Sequence, residues 1–255
     1  MREQPTETLH ATHRKLMLID GKTGFIGGMN CGNEYRDVWQ DVHSRVSGPA
    51  VGDIQDLFKE QWERNGGSMP KSSAPPPIPE AAPVRVVGHI GHQDQNIKQA
   101  YLAAIDTAQH SIKIADPYLT DADIESHLEA AARAGVNVQL ILPHWCDDAV
   151  TQHIERSMYP ALLSAGVQIY EYSGRPMAHD KVATFDEHIT TIGSSNLDAR
   201  SLKYNDEANV WADDAKTAQI MNSELFDEDI PQSVHITSYE PTLEDKLFKL
   251  WRPIQ

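Results

Sequence analysis

The chain has 255 residues, of which 40% are apolar and 23% charged, and its formal net charge is −15. This composition is typical of a soluble globular protein that can bury a sizeable core. The negative charge argues against long-range attraction to nucleic acid or anionic lipid as the main source of binding. Cys31 and Cys146 lie in unrelated contexts, which argues against a zinc site or a disulfide framework. No stretch approaches the roughly 20 apolar residues that a membrane span needs.

The first element in chain order is the stretch HRKLMLIDGKTGFIGGMN at residues 13–30. Its LMLI and GFIGG segments suit two strands, and the Asp20-Gly21 pair between them favours a hairpin turn. A strand-like VHSRV and a helical GDIQDLFKEQW follow. The sequence therefore predicts strand, turn, strand, loop, strand and helix.

Residues 66–83 read GGSMPKSSAPPPIPEAAP and form the clearest linker in the chain. Strands alternate with helices after it. The segments VRVVGHI, SIKIADPYL, VNVQLILP and VQIYEY are typical of strands, and QNIKQAYLAAIDTAQ, DADIESHLEAAARAG and HIERSMYPALLSAG of helices. This alternation predicts an α/β layer architecture with a largely parallel sheet.

Residues 179–196, HDKVATFDEHITTIGSSN, repeat the first stretch at matched offsets. Both follow H-x-K-x4-D-x6-G-[GS]-x-N, and an acid lies 28 residues after each motif histidine. Such duplication indicates two related structural units. The equivalent pairs are His13 and His179, Lys15 and Lys181, Asp20 and Asp186, Gly27 and Gly193, Asn30 and Asn196, Asp41 and Glu207.

The two copies differ in what precedes them. In the second copy 95 residues separate Val84 from His179, whereas only 12 residues precede His13. We therefore expect a pseudo-twofold pair of mixed or parallel sheets flanked by helices, with an incomplete first half. The expected units are a partial first half at 1–65, the Pro-rich linker at 66–83, a complete second half at 84–240 and a C-terminal tail at 241–255.

The tail TLEDKLFKLWRPIQ carries Leu243, Leu247, Leu250 and Trp251 at helical spacing. This spacing fits an interfacial membrane helix. We instead expect a terminal helix packed on the core, which is the commoner arrangement. Tyr118, which follows Asp116-Pro117 at the end of a predicted strand, is expected to border a substrate groove.

The repeated residue types suit chemistry on an anionic tetrahedral group such as phosphate. On a strand, His and Lys two residues apart project to the same face. One neutral histidine can attack phosphorus, and a second, protonated histidine can donate to the leaving oxygen. Lysine and asparagine donate hydrogen bonds to phosphate oxygens. The expected phosphate-binding residues beside the lysines are Asn30, Ser194 and Asn196.

Asp41 and Glu207 can each accept a hydrogen bond from the far ring nitrogen of a motif histidine. Such a bond fixes the tautomer of the imidazole. His89 and His92 lack a third ligand, so we expect no metal.

The duplicated motif resembles the HKD motif of the phospholipase D superfamily, and more narrowly the chain resembles bacterial cardiolipin synthases. The resemblance rests on both motif stretches and on NEYRDVWQDVHSRVSGPAV, ADPYLTDADI, ALLSAGVQIYEY and GSSNLDARSLKYNDEANV. It implies a phospholipase D-like fold and a two-step transfer of a phosphatidyl group without metal or cofactor. It also implies that His13 is the nucleophile and His179 the general acid and base.

By this resemblance Asp20 and Asp186 are counted with the catalytic motif but as structural or orienting residues. It implies phospholipid substrates, no nucleic acid partner, and peripheral attachment at the cytoplasmic side of the bacterial inner membrane. Family members usually carry a full first half, so another copy or a partner chain is expected to complete it. Two alternatives stay open: a phosphodiesterase that hydrolyses phospholipid or nucleic acid, and an inactive truncated remnant.

Overall fold

The computed structural model describes residues 10–69, 75–79 and 81–254. The predicted linker at 66–83 therefore lies partly outside the described residues, as do the first nine residues and Gln255. The strands are β1 Leu16–Ile19, β2 Thr23–Gly27, β3 His43–Ser47, β4 Val84–His89, β5 Ser111–Ala115, β6 Asn137–Pro143, β7 Gln168–Tyr172, β8 Val182–Phe185, β9 Ile189–Gly193, β10 Glu207–Asp213 and β11 Ser233–Ile236. The α-helices are α1 Asn33–Asp37, α2 Val51–Arg64, α3 Asn96–Thr107, α4 Ala122–Arg133, α5 Ala149–Arg156, α6 Tyr159–Ala165, α7 Ala215–Met221, α8 Asp227–Asp229 and α9 Leu243–Phe248.

The main sheet has eight strands in the order β11-β7-β6-β5-β8-β9-β10-β4. This arrangement confirms the α/β class. The expectation of a largely parallel sheet is wrong, because only the β5/β6 and β6/β7 pairs are parallel. The second motif inserts the antiparallel hairpin β8–β9 beside β5, and β10 and β4 continue the sheet antiparallel.

A second sheet of three strands, in the order β1-β2-β3, carries the first motif. Its register repeats that of β8, β9 and β10: Leu16 pairs with Ile26 as Val182 pairs with Ile192. Both hairpin turns have positive φ at their two central residues, 52° and 63° at Asp20-Gly21 and 50° and 54° at Asp186-Glu187. The duplicated sequence thus forms a duplicated structure, as predicted.

Two helical segments are interrupted, and the first of them is a predicted helix. The segment 153–166 forms the end of α5 and then α6, with Pro160 in the first turn of the second helix, where a missing N–H costs nothing. The segment 215–226 begins as α7 and continues as a π-helical turn, Asn222–Phe226. Gly135 and Gly166 have φ of 98° and 96° after α4 and α6, so they end these helices as predicted.

The largest apolar core lies between the main sheet and helices α3, α4 and α6. A smaller core joins the two halves: Ile26, Val46 and Ile54 of the first half share it with Val86 and Val210 of the second. This contact fixes the first motif against the second. Within the described residues, no helix combines the length and the apolar character that crossing a membrane would require.

The C-terminal tail departs from expectation. Helix α9 forms, but Leu243, Leu247, Leu250 and Trp251 are more than half exposed. The helix does pack on the protein, against α5, as expected. It packs through the side that carries the buried Asp245 and not through these apolar side chains.

Candidate active site

Each motif histidine lies beside an isolated parallel bridge that joins the two halves. The backbone N–H of His13 donates to the carbonyl oxygen of Asp206 at 3.0 Å, and that of His179 donates to Gln40 at 2.7 Å. Asp206 and Gln40 immediately precede the two repeated acids in the sequence. Each bridge therefore brings the histidine of one half next to the acid of the other.

The side chains bond in the same crossed way. His13 Nδ1 lies 2.8 Å from Glu207 Oε1, and His179 Nδ1 lies 2.8 Å from Asp41 Oδ2. Both carboxylate side chains are fully buried. Because Nδ1 of each ring faces a carboxylate, Nε2 is the nitrogen left for reaction at phosphorus. In the second copy Lys181 Nζ lies 3.2 Å from His179 Nε2. The matched 28-residue offset predicts two acids but not that each serves the histidine of the other copy.

Ser194 supports Glu207 and does not face a ligand. Its side chain is buried, and its hydroxyl donates to Glu207 Oε2 at 2.5 Å and accepts from the Ala208 N–H at 3.1 Å. The expectation that Ser194 binds phosphate is therefore wrong, because the Ser194 hydroxyl already donates its hydrogen bond to Glu207. The equivalent residue of the first copy is Gly28, where a side chain would collide with the carboxylate of Asp41.

The two lysines hold the backbone at the histidines. Lys15 Nζ donates to the carbonyl oxygen of His13 at 2.8 Å, and Lys181 Nζ donates to that of His179 at 2.9 Å. Burial lowers the pKa of Lys15 to about 8, assisted by the charge of Lys181, and burial also lowers the pKa of Lys181. The two cations thus act on one another across the boundary between the halves, where an anion would relieve their repulsion.

An aromatic wall surrounds His179. The ring centroids of Tyr35 and Trp39 lie 5.3 and 5.4 Å from that of the histidine, and Tyr118 lies 6.3 Å away. Only 7% of the His179 side chain is exposed, against 31% for His13. The wall therefore excludes water from one histidine much more than from the other.

The electrostatics of His179 follow from this burial. Burial, Lys181 and Lys15 together lower the pKa of His179 to about 2. Burial also raises the pKa of Asp41 to about 6, although Lys181 opposes this shift. At neutral pH His179 is therefore neutral, and its Nδ1–H donates to an ionised Asp41.

The two predicted asparagines take different positions. Asn196 is buried with its Oδ1 unpaired, and it lines a cavity of about 340 Å³ together with His13, Tyr118 and Arg200. Asn30 is exposed and donates to the Tyr35 hydroxyl at 2.7 Å. Asn196 thus lies where a phosphate-binding residue is expected, whereas Asn30 reaches His179 only through Tyr35.

The motif aspartates lie away from the histidines. Asp186 accepts hydrogen bonds from the backbone N–H groups of residues 109, 110 and 111 at 2.7–3.0 Å. Burial raises its pKa, but these three amides outweigh burial and the net pKa is lowered. Asp186 is at the far end of β8 from Lys181, roughly 15 Å along the strand. Asp20 is exposed in the corresponding turn. Both are therefore turn residues, and counting them with the catalytic residues is corrected to a structural role.

Several residues of the site carry no repeated sequence signal. Asp116 is buried beside Lys181 and accepts from the N–H groups of Tyr118 and Leu197 at 2.9 and 3.3 Å. Burial raises its pKa to about 7, although Lys181 and these amides oppose the shift. The predicted strand end at Asp116-Pro117 is the signal that points to this loop.

Tyr118 lines the cavity beside His13, as expected, and its hydroxyl donates to Asp147. A second cavity of about 700 Å³ opens beside Asp41 and includes Tyr35 and Trp39. Each histidine–carboxylate pair therefore has its own adjoining cavity. Among the residues that the structure describes, no cluster of three His, Cys, Asp or Glu side chains is arranged to hold a metal ion.

Comparison with known proteins gives a consistent result. A family model described as "Cardiolipin synthase, PLD-like domain" matches residues 101–230. The probable cardiolipin synthase YwiE of Bacillus subtilis is 34% identical over 232 residues, which are 87% of this chain and 46% of that protein. The cardiolipin synthase of Geobacillus thermodenitrificans is 39% identical over 212 residues, 78% of this chain and 42% of that protein. The chain thus spans less than half the length of these two relatives.

Solved structures support the fold. A phosphatidylserine synthase from Haemophilus influenzae superposes with a TM-score of 0.70 at 13% identity, over 98% of this chain and 72% of that one. Nuc from Salmonella typhimurium, a phospholipase D family member, gives a TM-score of 0.55 at 23% identity, over 62% of this chain and all of that one. The predicted phospholipase D-like fold is confirmed.

Proposed function

Because the chain belongs to the family of phospholipase D-like domains of cardiolipin synthases, we propose that it transfers a phosphatidyl group between phospholipids through a covalent phosphohistidine. The observation that carries this proposal is the crossed pair of bonds from His13 to Glu207 and from His179 to Asp41, each 2.8 Å long. Two oriented imidazoles beside two buried lysines provide a nucleophile, a proton carrier and a site for an anionic group.

In the first step His13 Nε2 attacks the phosphorus of the donor lipid, and the bond from phosphorus to the leaving alcohol oxygen breaks. His179, in its protonated form, gives its proton to that oxygen. In the second step neutral His179 removes a proton from the acceptor lipid alcohol, whose oxygen displaces His13 from phosphorus. The proton that His179 gave to the leaving alcohol is thereby replaced by the proton of the acceptor alcohol, and His13 Nε2 is free again.

The acid role of His179 depends on bound substrate. Burial and the two lysines hold the pKa of His179 near 2. A phosphodiester anion between Lys15 and Lys181 offsets the charge of both cations, so it raises the pKa of His179 towards neutrality. Protonation of His179 is therefore coupled to arrival of the phosphate group.

Phosphate binding is assigned to the two lysines and Asn196. Lys15 and Lys181 supply charge from the two halves, and the side chain of Asn196 faces the cavity that His13 lines. Buried cations and amides aimed at the phosphoryl oxygens stabilise the negative charge that develops there.

The proposal also covers the assembly in which the chain is active. Within the described residues β1 pairs only with β2, so one edge of the smaller sheet is open. An open edge presents unpaired backbone groups that a further strand can satisfy. We place the partial first half at 1–65, the linker at 66–83, the second half at 84–240 and the tail at 241–255, with a second copy or a partner chain pairing with β1. The protein would work as a peripheral protein at the cytoplasmic side of the bacterial inner membrane.

Product analysis tests the proposed function. The chain is incubated with phosphatidylglycerol vesicles, and in parallel with single-stranded DNA, and the products are separated. Transfer predicts cardiolipin and free glycerol in equal amounts, whereas hydrolysis predicts phosphatidic acid. Nucleotide release would identify a nuclease. A histidine substitution away from the site, His188→Ala, serves as the matched control, since this exposed residue lies in the β8–β9 turn and forms an ion pair with Asp213. Absence of every product, with the chain folded, would support an inactive remnant.

A further inference from the structure

The C-terminal segment, helix α9 and the turn that follows it, is attached to the protein by one side. Asp245 is buried there, and it accepts from Tyr239 Oη at 2.8 Å and lies 2.7 Å from His153 Nδ1. Arg252 forms an ion pair with Glu125 at 2.6 Å and donates to the backbone oxygen of Thr120. These polar contacts fix which side of the segment faces away from the protein.

The side that faces away is apolar. Its large side chains repeat at helical spacing, three or four residues apart, and form one stripe on the side opposite Asp245. An exposed apolar stripe of this kind lowers the solubility of a protein, and it does not stabilise an isolated soluble domain. The stripe consists of Leu243, Leu247, Leu250 and Trp251, which are 73%, 55%, 78% and 55% exposed.

This stripe lies at the same edge of the sheet as the histidines. The oxygen that Arg252 contacts belongs to Thr120, two residues beyond Tyr118, which lines the cavity of His13. The segment packs on α5, which begins directly after the loop 144–148. In that loop Trp145 is 53% exposed, and the neighbouring Asp147 accepts from Tyr118. The exposed apolar groups are therefore beside the mouth of the active site.

The charges around the stripe indicate its occupant. Lys246 and Lys249 are exposed on the same segment, in a chain whose net charge is −15. The exposed acid of the segment, Glu244, lies 3.7 Å from His153 Nε2. Leucine and tryptophan beside two lysines are typical of segments that lie in the plane of a membrane interface, where lysine meets anionic headgroups.

We propose that the stripe and Trp145 insert into the interface of a bilayer that contains anionic phospholipid, and that this contact places the mouth of the active site on the lipid surface. The proposal rests on the proposed function for its purpose, since a lipid substrate has to be drawn from a bilayer. It goes further by naming the residues that make the contact and by separating membrane contact from catalysis.

Vesicle binding tests the contact directly. The full chain and its Leu247→Glu/Leu250→Glu variant are mixed with vesicles of phosphatidylcholine containing phosphatidylglycerol, and bound protein is measured by flotation. We expect the variant to bind at least about tenfold more weakly, because two inserted leucines become charged. The matched control Ile220→Glu/Val234→Glu changes two exposed apolar residues outside the stripe and should bind as the parent does. Equal binding of the two double variants, both folded, would overturn the proposal.

Two further measurements separate the possible failures. A water-soluble phosphodiester should be turned over equally by the parent and the Leu247→Glu/Leu250→Glu variant, while turnover of vesicle lipid falls with binding. If the parent binds vesicles through the stripe but turns over neither substrate, the proposed function fails and the membrane contact stands. If light scattering shows that the stripe substitutions convert a dimer to a monomer without changing vesicle binding, the stripe is a protein interface and the membrane proposal is wrong.

Discussion

The two copies of the motif have the same backbone register but different surroundings. Strand β8 is buried along its whole length, whereas β1 alternates between half-buried and exposed positions. The difference arises because β8 lies between β5 and β9, and β1, within the described residues, has only β2 beside it. The shared motif thus specifies the same local structure in both copies. The neighbouring strands determine how far each copy is shielded from water.

The residue between histidine and lysine shows this most clearly. In the first copy it is Arg14, which donates to the backbone oxygens of Glu207 and His89 and pairs with Glu60. In the second copy it is Asp180, which is fully buried and whose carboxylate oxygens have no hydrogen-bond partner among the described residues. At this position the first copy has an arginine whose charge is paired and hydrogen-bonded. The second copy has a carboxyl group that burial keeps protonated.

The largest expected effect comes from the histidines. His13→Asn and His179→Asn should each reduce phosphatidyl transfer by more than about 1,000-fold, because one removes the nucleophile and the other the proton carrier. Initial rates on phosphatidylglycerol vesicles measure the loss. His188→Ala should transfer at the parental rate. A near-normal rate in either motif variant would contradict the two-histidine scheme.

The crossed pairing gives the next effect. Glu207→Gln and Asp41→Asn should each slow transfer roughly 100-fold, because a carboxamide no longer holds the ring proton on Nδ1. Nuclear magnetic resonance of 15N-labelled imidazoles distinguishes the pairs: Glu207→Gln should shift the Nδ1 signal of His13, and Asp41→Asn that of His179. If each acid instead affects the histidine of its own copy, the crossed arrangement is wrong.

Asp180 gives a pH-dependent effect on stability. Burial and the nearby Asp41 and Asp229 raise its folded-state pKa to about 8, above its unfolded value. Between pH 4 and 8 the folded chain therefore holds a proton that the unfolded chain has lost, so stability falls as pH rises, by up to about 1.4 kcal/mol per unit. Denaturant unfolding should show that Asp180→Asn loses this slope. Exposed Asp56→Asn should follow the parent, and parallel curves for all three proteins would show that Asp180 is ionised in the fold.

The smallest effect concerns the motif aspartates. Asp186→Asn should lower the free energy of unfolding by about 1–2 kcal/mol, since three backbone amides lose a charged acceptor. Asp20→Asn, in the exposed turn of the first copy, should cost less than about 0.5 kcal/mol. Both variants should keep their transfer rate. Equal destabilisation of the two, measured by urea unfolding, would mean that both turns have the same neighbours.

The sequence predicts the duplicated hairpins because the motif residues repeat without a gap and Asp-Gly favours the turn. It also predicts which residue types share a face of each strand. It does not predict the crossed pairing, which depends on the backbone bridges Thr12–Asp206 and Gln40–Ala178, between residues far apart in the sequence. Nor does it reveal that Ser194 serves Glu207, because hydroxyl partners depend on side-chain directions in the folded site.

The tail shows a second limit. The spacing of Leu243, Leu247 and Leu250 predicts a helix with one apolar side, and the structure contains the helix. Which side meets the protein is decided by Asp245 and its bond to His153, and helical spacing carries no information about such a partner. The spacing of the apolar residues therefore predicts the helix and its apolar side. The buried contact of Asp245 with His153 determines which side of the helix faces the protein.

The most direct test of the two-histidine site is the position of the covalent adduct. The His179→Asn variant is mixed with an activated phosphodiester whose leaving group needs no acid, quenched without acid and mapped by mass spectrometry. We predict a phosphoryl group on His13 that persists, because no base remains to activate the acceptor. An adduct on His179 in the His13→Asn variant, or no adduct in either variant, would contradict the proposed mechanism.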